Sequence, residues 1–312
     1  MGDALLKWPV ISGLKHRFPA IHLTWVAGTR TSVFAGSLAG LAAGTIDAVI
    51  DKSNIGNSWR ELVQAKPSLE ADVVISTEPK IRNAVLAKRI QHKKFISPAA
   101  RFWFSDIKPA KAQAIPTSVQ SRLQQLFELA LGDKFELRHH VEIPERLKQT
   151  AAKLLPSRDN YIGLAPGAGG QRKRWPLAKF IAVAKAQIEE NKAPVFFLGP
   201  EEISIIEEIK TAVPDALIPE YDDQMNRRAG GVMLSIALAN RMQVSLANDA
   251  GGGHILAAGG KPLVQVYGHT SSEKFRSSYG PHSALTAEQF GGKTVSAIPV
   301  SAVVDAIRQL QI

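Results

Sequence analysis

Two glycine-rich turns in the second half of this 312-residue chain carry the residue types that a linked pair of phosphates needs. The first, residues 163–176 (GLAPGAGGQRKRWP), reads as a strand running into a turn with Gly167, Gly169 and Gly170, then Arg172, Lys173 and Arg174 just ahead of a helix. Glycines let the backbone come close to a ligand, and a helix N-terminus offers unpaired N–H groups and a partial positive charge. The run therefore suits a diphosphate, although an ordinary strand-to-helix turn has the same grammar. It has neither the Gly-Lys-Ser/Thr ending of a Walker loop nor the full G-x-G-x-x-G spacing. The second, residues 244–268 (VSLANDAGGGHILAAGGKPLVQVYG), repeats the pattern with Gly251, Gly252 and Gly253, and with His254 opening a helix. Asp249 stands at the carboxyl end of its strand, where ligands bind in open α/β sheets, and it equally suits a helix N-cap. A third strand end, residues 199–202 (GPEE), places Glu201 to cap a helix through its charge or to accept hydrogen bonds from a ribose or base.

These turns need a parallel sheet to hold them. In the second half, strands at 161–165, 194–198, 244–247 and 263–267 alternate with helices at 177–190, 201–211, 232–240 and 255–258, and the chain closes on an amphipathic helix at 300–310. The first half alternates less clearly. Leu6, Val10, Leu14 and Phe18 form a helical stripe, which Pro9 predicts will start late or bend. Strands at 21–27, 48–50, 72–76 and 95–97 alternate with helices at 33–41, 59–66 and 81–89. A proline-containing loop at 104–116 and helices at 119–131 and 145–155 lead to a turn-rich hinge at 156–160. Alternation of this kind indicates an α/β fold with parallel sheets and helices on both faces. The hinge divides the chain into domains 1–156 and 157–312, with the last helix free to pack back on the first domain.

Composition removes several function classes. Without cysteine there are no disulfides, thiolate metal sites or cysteine nucleophiles, which fits a reducing compartment. Asp3 and Lys7 interrupt any secretory pattern at the start, and no stretch approaches about 20 apolar residues, so a cytoplasmic location is expected. A formal net charge of +10 favours an anionic partner: nucleic acid, an acidic membrane face or a phosphorylated substrate. Lys88, Arg89, Lys93 and Lys94 form one local cluster, which a solvated surface would also explain. No aromatic-interleaved basic stripe supports nucleic acid.

Gly2-Asp3 leading into a helix with Pro9, then APGAGG and KRWP, FLGPEE, and NDAGGGH with AAGGKPLVQVYG, resemble the heptosyltransferases of lipopolysaccharide core biosynthesis, glycosyltransferase family 9, over nearly the whole chain. The resemblance implies a GT-B architecture, two Rossmann-like domains with parallel sheets facing a cleft. The second domain would hold a nucleotide-diphosphate sugar, usually ADP-heptose, and the first an anionic glycolipid acceptor, with peripheral contact at the cytoplasmic face of the inner membrane. It places donor contacts on Gly167, Ala168, Gly169, Lys173, Glu201, Asp249, Ala250, Gly251, Gly252 and His254, and the catalytic base on Asp3. It implies no cofactor beyond the sugar nucleotide, which is a substrate. With no Asp-x-Asp motif present, a lysine and two helix N-termini would take the place of a metal ion.

Three departures stand out. Ala250 replaces the hydroxyl residue of relatives, Ala168 and Gly169 lack the hydroxyls some members use, and the apolar strand that precedes Gly-Asp in the family does not precede Gly2. Either translation starts upstream, or the first strand is missing and Asp3 is poorly held. The alternatives are a non-catalytic sugar-nucleotide-binding scaffold, or a transferase for another sugar and acceptor.

Overall fold

A computed structural model describes residues 2–29, 31–110, 114–156, 160–222 and 224–311. The chain falls into two compact units, Lys7–Arg138 and a second made of His139–Ile312 together with Met1–Leu6.

Helix α1 (Gly2–Arg17) starts earlier than expected and has Pro9 in its interior. Its two ends belong to different units: the first turn counts with the C-terminal unit, the remainder with the N-terminal one. Proline has no N–H, so the carbonyl of Leu5 loses its usual partner four residues on. The buried Tyr279 hydroxyl supplies one, donating to Leu5 O at 2.7 Å. That substitution lets the helix contain Pro9 without leaving the Leu5 carbonyl unpaired, and the expected late start does not occur.

In the N-terminal unit, α1 buries Val10 and Leu14 against Leu123 and Phe135. The backbone at 136–138 crosses the helix at Gly13, where a Cβ would run into the Glu136 carbonyl oxygen. Arg138 N–H donates there to Pro9 O at 3.0 Å. The strands form two parallel pairs, β1 (Thr24–Val26) with β2 (Ala48–Ile50), and β3 (Glu70–Ile75) with β4 (Gln91–Ile96), rather than one continuous sheet. Among the described residues no strand precedes α1. The helix expected at 33–41 is a 3-10 turn and a single α-turn, and the one at 59–66 is a 3-10 segment closed by a Ser58–Glu61 capping box. Helices α2 (Ile81–Ala87) and α3 (Val119–Leu131) fall where the apolar periodicity puts them.

After β4, Ala100, Arg101 and Phe102 take φ values of 48°, 54° and 65°, three successive left-handed residues, none of them glycine. Each such residue costs about 1–2 kcal/mol. Phe102 is buried against Ile96, Leu126 and Ala130, which fixes the turn.

The C-terminal unit carries a five-stranded, all-parallel sheet in the order β6-β5-β7-β8-β9, made of β5 (Tyr161–Ala165), β6 (Ala193–Phe196), β7 (Val244–Asn248), β8 (Leu263–Tyr267) and β9 (His282–Thr286). Helix α4 (Glu145–Leu154) packs on the helix α7 (Gln224–Ala239) of this unit, so the unit begins ahead of the expected boundary at 156. The expected hinge at 156–160 lies mostly outside the described residues. Helix α5 (Leu177–Glu189) covers one sheet face, with Phe180 and Val183 on Ile162 and Leu164. A 3-10 segment from Pro200 runs into α6 (Ile206–Ala212), and α8 (Gly251–Ala258) follows β7. The last helix, α9 (Val300–Leu310), buries Val303, Val304 and Ile307 in this unit's core. Strand β9, HSALT, has no apolar run and only half-buried positions, so local pattern does not announce it.

Candidate functional site

Strands β5 and β7 are neighbours, so the turns that leave their carboxyl ends meet side by side. The helix after β7 opens at Gly251, earlier than the His254 start read from sequence, because its glycines are packing positions. A Cβ on Gly253 would lie 2.7 Å from the Asn248 carbonyl oxygen and from Gln265 Nε2, and one on Gly252 would lie 3.2 Å from Ala165 Cβ. Glycine there lets α8 lie directly on the sheet. Gly169, Gly170 and Gly251 differ: a Cβ on any of them meets nothing within 4 Å. These three border an open hollow of about 500 Å³ lined by residues 169–173, 249–251 and His269.

Lys173 and Asp249 meet at its edge. Lys173 Nζ lies 2.9 Å from Asp249 Oδ2 and 3.2 Å from the Asp249 carbonyl oxygen. The Thr270 hydroxyl donates to the same carboxylate oxygen at 2.6 Å. The aspartate side chain is 4% exposed and the lysine 33%, so the carboxylate is held by its partners while the ammonium keeps an open side. A buried carboxylate persists only when paired and hydrogen-bonded. Asp249 is thus a tether for Lys173 rather than a cap for α8. The N-cap position is Ala250, whose side chain caps nothing, leaving the first amides of α8 without a side-chain partner.

Asn248 locks the two turns together. Buried at the end of β7, it donates through Nδ2 to Pro166 O at 2.7 Å and accepts through Oδ1 from Trp175 N–H at 2.9 Å. Trp175, also buried, donates its indole N–H to Ile298 O at 3.0 Å. The Ala168 carbonyl accepts from Arg174 Nε at 2.8 Å. Gly167 faces Glu202, whose carboxylate a Cβ there would meet at 2.6 Å. Glu202, not Glu201, closes the turn after β6 by accepting from Gly199 N–H at 2.8 Å. Glu201 is left 75% exposed, 3.9 Å from Arg174.

His254 is buried one turn further along α8 and is not part of the hollow's lining. Gly2 packs on its ring, a Cβ there coming within 2.5 Å of Cδ2. Burial holds the imidazole below the usual histidine range, while the Asp249 and Asp3 carboxylates pull the other way. Asp3 is exposed in the first turn of α1, next to the Gly2 that packs on this ring. Beneath α8, Gln265 accepts from the Tyr267 hydroxyl at 2.7 Å and from His282 Nε2 at 3.0 Å, and donates to Asn248 O at 3.2 Å.

The arrangement thus unites Gly169, Lys173, Asp249, Ala250 and Gly251 around one hollow, while Gly167, Ala168, Gly252, Glu201 and His254 lie outside its lining. Sequence reasoning did not single out Asn248, His269, Thr270 or Tyr279. An asparagine ending the fully buried VSLAN strand is the only one of these with a local signal.

A family model for glycosyltransferase family 9 (heptosyltransferase) matches residues 59–294. Lipooligosaccharide heptosyltransferase 2 of Haemophilus influenzae is 36% identical over 130 residues, 40% of this chain and 35% of that protein. The aligned part thus spans about a third of the length of the curated relatives. The crystal structure of a family 9 glycosyl transferase from Veillonella parvula superposes with a TM-score of 0.72 at 22% identity, covering 99% of this chain and 94% of that one. The E. coli heptosyltransferase WaaC with ADP gives 0.66 at 18% identity, covering 99% and 94%. At these identities the likeness is one of fold. With three quarters of its length matched by the family model, the chain belongs to glycosyltransferase family 9, the heptosyltransferases.

Proposed function

We propose that this chain transfers a sugar, heptose, from its ADP-linked donor to a hydroxyl of a lipopolysaccharide core or related glycolipid, with inversion and without a metal ion. One observation carries the reading: the Lys173 ammonium, tethered by Asp249, faces a hollow bordered by the uncapped start of α8 and by open glycines. The amides of Gly167, Ala168, Gly169, Ala250, Gly251 and Gly252 and the Lys173 ammonium hold the diphosphate, and Glu201 reaches the nucleoside. Donors fixed in place need no reorganisation as charge develops on the leaving group.

Asp3 takes the proton of the acceptor hydroxyl as its oxygen bonds to the sugar's anomeric carbon. The bond from that carbon to the diphosphate breaks, and ADP departs with the electron pair. Such a base is worth typically about 10²–10⁴-fold. His254 supports the backbone at Gly2 beside it. No helix among the described residues is long and apolar enough to cross a membrane, and contact with an inner-membrane acceptor would be peripheral.

Thermal-shift titration with ADP, UDP, GDP and CDP tests the donor, since a ligand that binds only the folded state raises its stability. ADP should give the largest shift, and Lys173→Gln should remove it. An equal response in that variant would refute the cradle. Asp3→Ala should abolish transfer and keep the ADP shift. A wild-type chain that binds ADP yet transfers nothing to any acceptor would instead favour the scaffold reading.

A further inference from the structure

Gln265 lies inside the C-terminal sheet, on β8 between β7 and β9, and is 1% exposed. A carboxamide buried there is costly unless its bonds are made. They are made three times over: Oε1 accepts from the Tyr267 hydroxyl and from His282 Nε2, and Nε2 donates to Asn248 O. These partners settle which way the amide points, because a carbonyl oxygen can be met only by its NH2 end. The same end occupies the space that a Cβ on Gly253 would need.

Asn248 O is the last carbonyl of β7, and it also accepts from Ala250 N–H at 2.8 Å. Two donors therefore fix the peptide that joins Asn248 to Asp249. From that peptide the chain continues into the carboxylate and carbonyl that tether Lys173, then into Ala250 and the uncapped first turn of α8. Through its own side chain, Asn248 holds Pro166 O and Trp175 N–H on either side of the turn after β5. Both turns bordering the hollow thus refer back to Asn248, and Gln265 holds its backbone from beneath. Stability alone does not ask for a carboxamide at this position, since Asn248 O keeps the Ala250 amide without it.

We infer that Gln265 is a positioning residue for the two linked phosphates. It touches no ligand. It acts through Asn248, holding the first amides of α8 and the Lys173 tether at the spacing a diphosphate requires. Donors raise affinity only when a supporting shell keeps them within about 0.5 Å of the productive geometry. The inference rests on the proposed donor cradle and adds to it the residue that sets its shape.

Calorimetric titration of the full chain with ADP and with inorganic pyrophosphate, well below melting, tests this beside melting temperatures. Gln265→Met should weaken both ligands by about 5-fold or more, the worth of one hydrogen bond. Val264→Ala is the control: its side chain packs in the core on the opposite face of the same strand. It should lower the melting temperature yet leave both affinities within about 2-fold of wild type. Adding Tyr267→Phe to Gln265→Met replaces a bonded pair by apolar groups of similar shape, which should recover melting temperature without recovering affinity. Affinities within about 2-fold of wild type in this double variant, or affinities that follow melting temperature across all the variants, would overturn the positioning role. A wild-type chain that binds neither ligand would refute the donor cradle and this role with it. One that binds pyrophosphate and not ADP would refute the ADP reading alone, and the pyrophosphate affinities would then decide the role of Gln265.

Discussion

Tyr279→Phe is the sharpest test of how the start of α1 is held. The hydroxyl donates to Leu5 O at 2.7 Å, and both residues are buried. Burial keeps the phenol's pKa far above its ordinary value, so it remains a donor at any working pH. Removing it leaves a buried carbonyl unpaired, because Pro9 cannot supply the amide of an ordinary helix. That costs about 1–3 kcal/mol. An opening free energy lowered by about 1–3 kcal/mol speeds exchange roughly 5–150-fold, so hydrogen–deuterium exchange of peptides covering residues 2–14 should accelerate by a factor in that range. Pro9→Ala restores the amide. In that background Tyr279→Phe should change exchange by less than about 2-fold, since the carbonyl now has a partner either way. Equal acceleration in both backgrounds would mean that the tyrosine is not standing in for the absent N–H.

Two further outcomes follow from the site's packing. His282 is held to about 4 by burial, with Arg276 and His254 adding to the depression. A base with a folded pKa below its unfolded value of about 6.5 stabilises fully above that pH and loses its contribution as pH falls toward 4. His282→Gln should therefore flatten the stability loss between pH 6.5 and 4 by about 2 kcal/mol, allowing for partial exposure, and an unchanged acid limb in chemical denaturation would contradict this. Gly253→Ala forces a Cβ to 2.7 Å from Asn248 O and should cost about 1–3 kcal/mol. Gly169→Ala meets nothing and should leave stability within about 0.5 kcal/mol while weakening ADP binding. Melting temperatures beside ADP titrations separate the two.

Local pattern carried much of this molecule. The apolar runs of β5 and β8 and the stripes of α3 and α9 mark those elements at their observed bounds, because burial of one face repeats at the period of the backbone. Glycines and a lysine after two strands marked the candidate hollow for the same reason: the constraint lies within a dozen residues. What pairs with what was decided in three dimensions. Lys173 finds Asp249 at a separation of 76 residues, and Leu5 finds Tyr279 at 274. The helix runs past Pro9 with such a partner on Leu5 O, and the half-buried β9 is placed by its pairing along β8. Periodicity reports how a residue sits relative to its neighbours in sequence, whereas the group that satisfies a buried polar atom comes from wherever the chain returns.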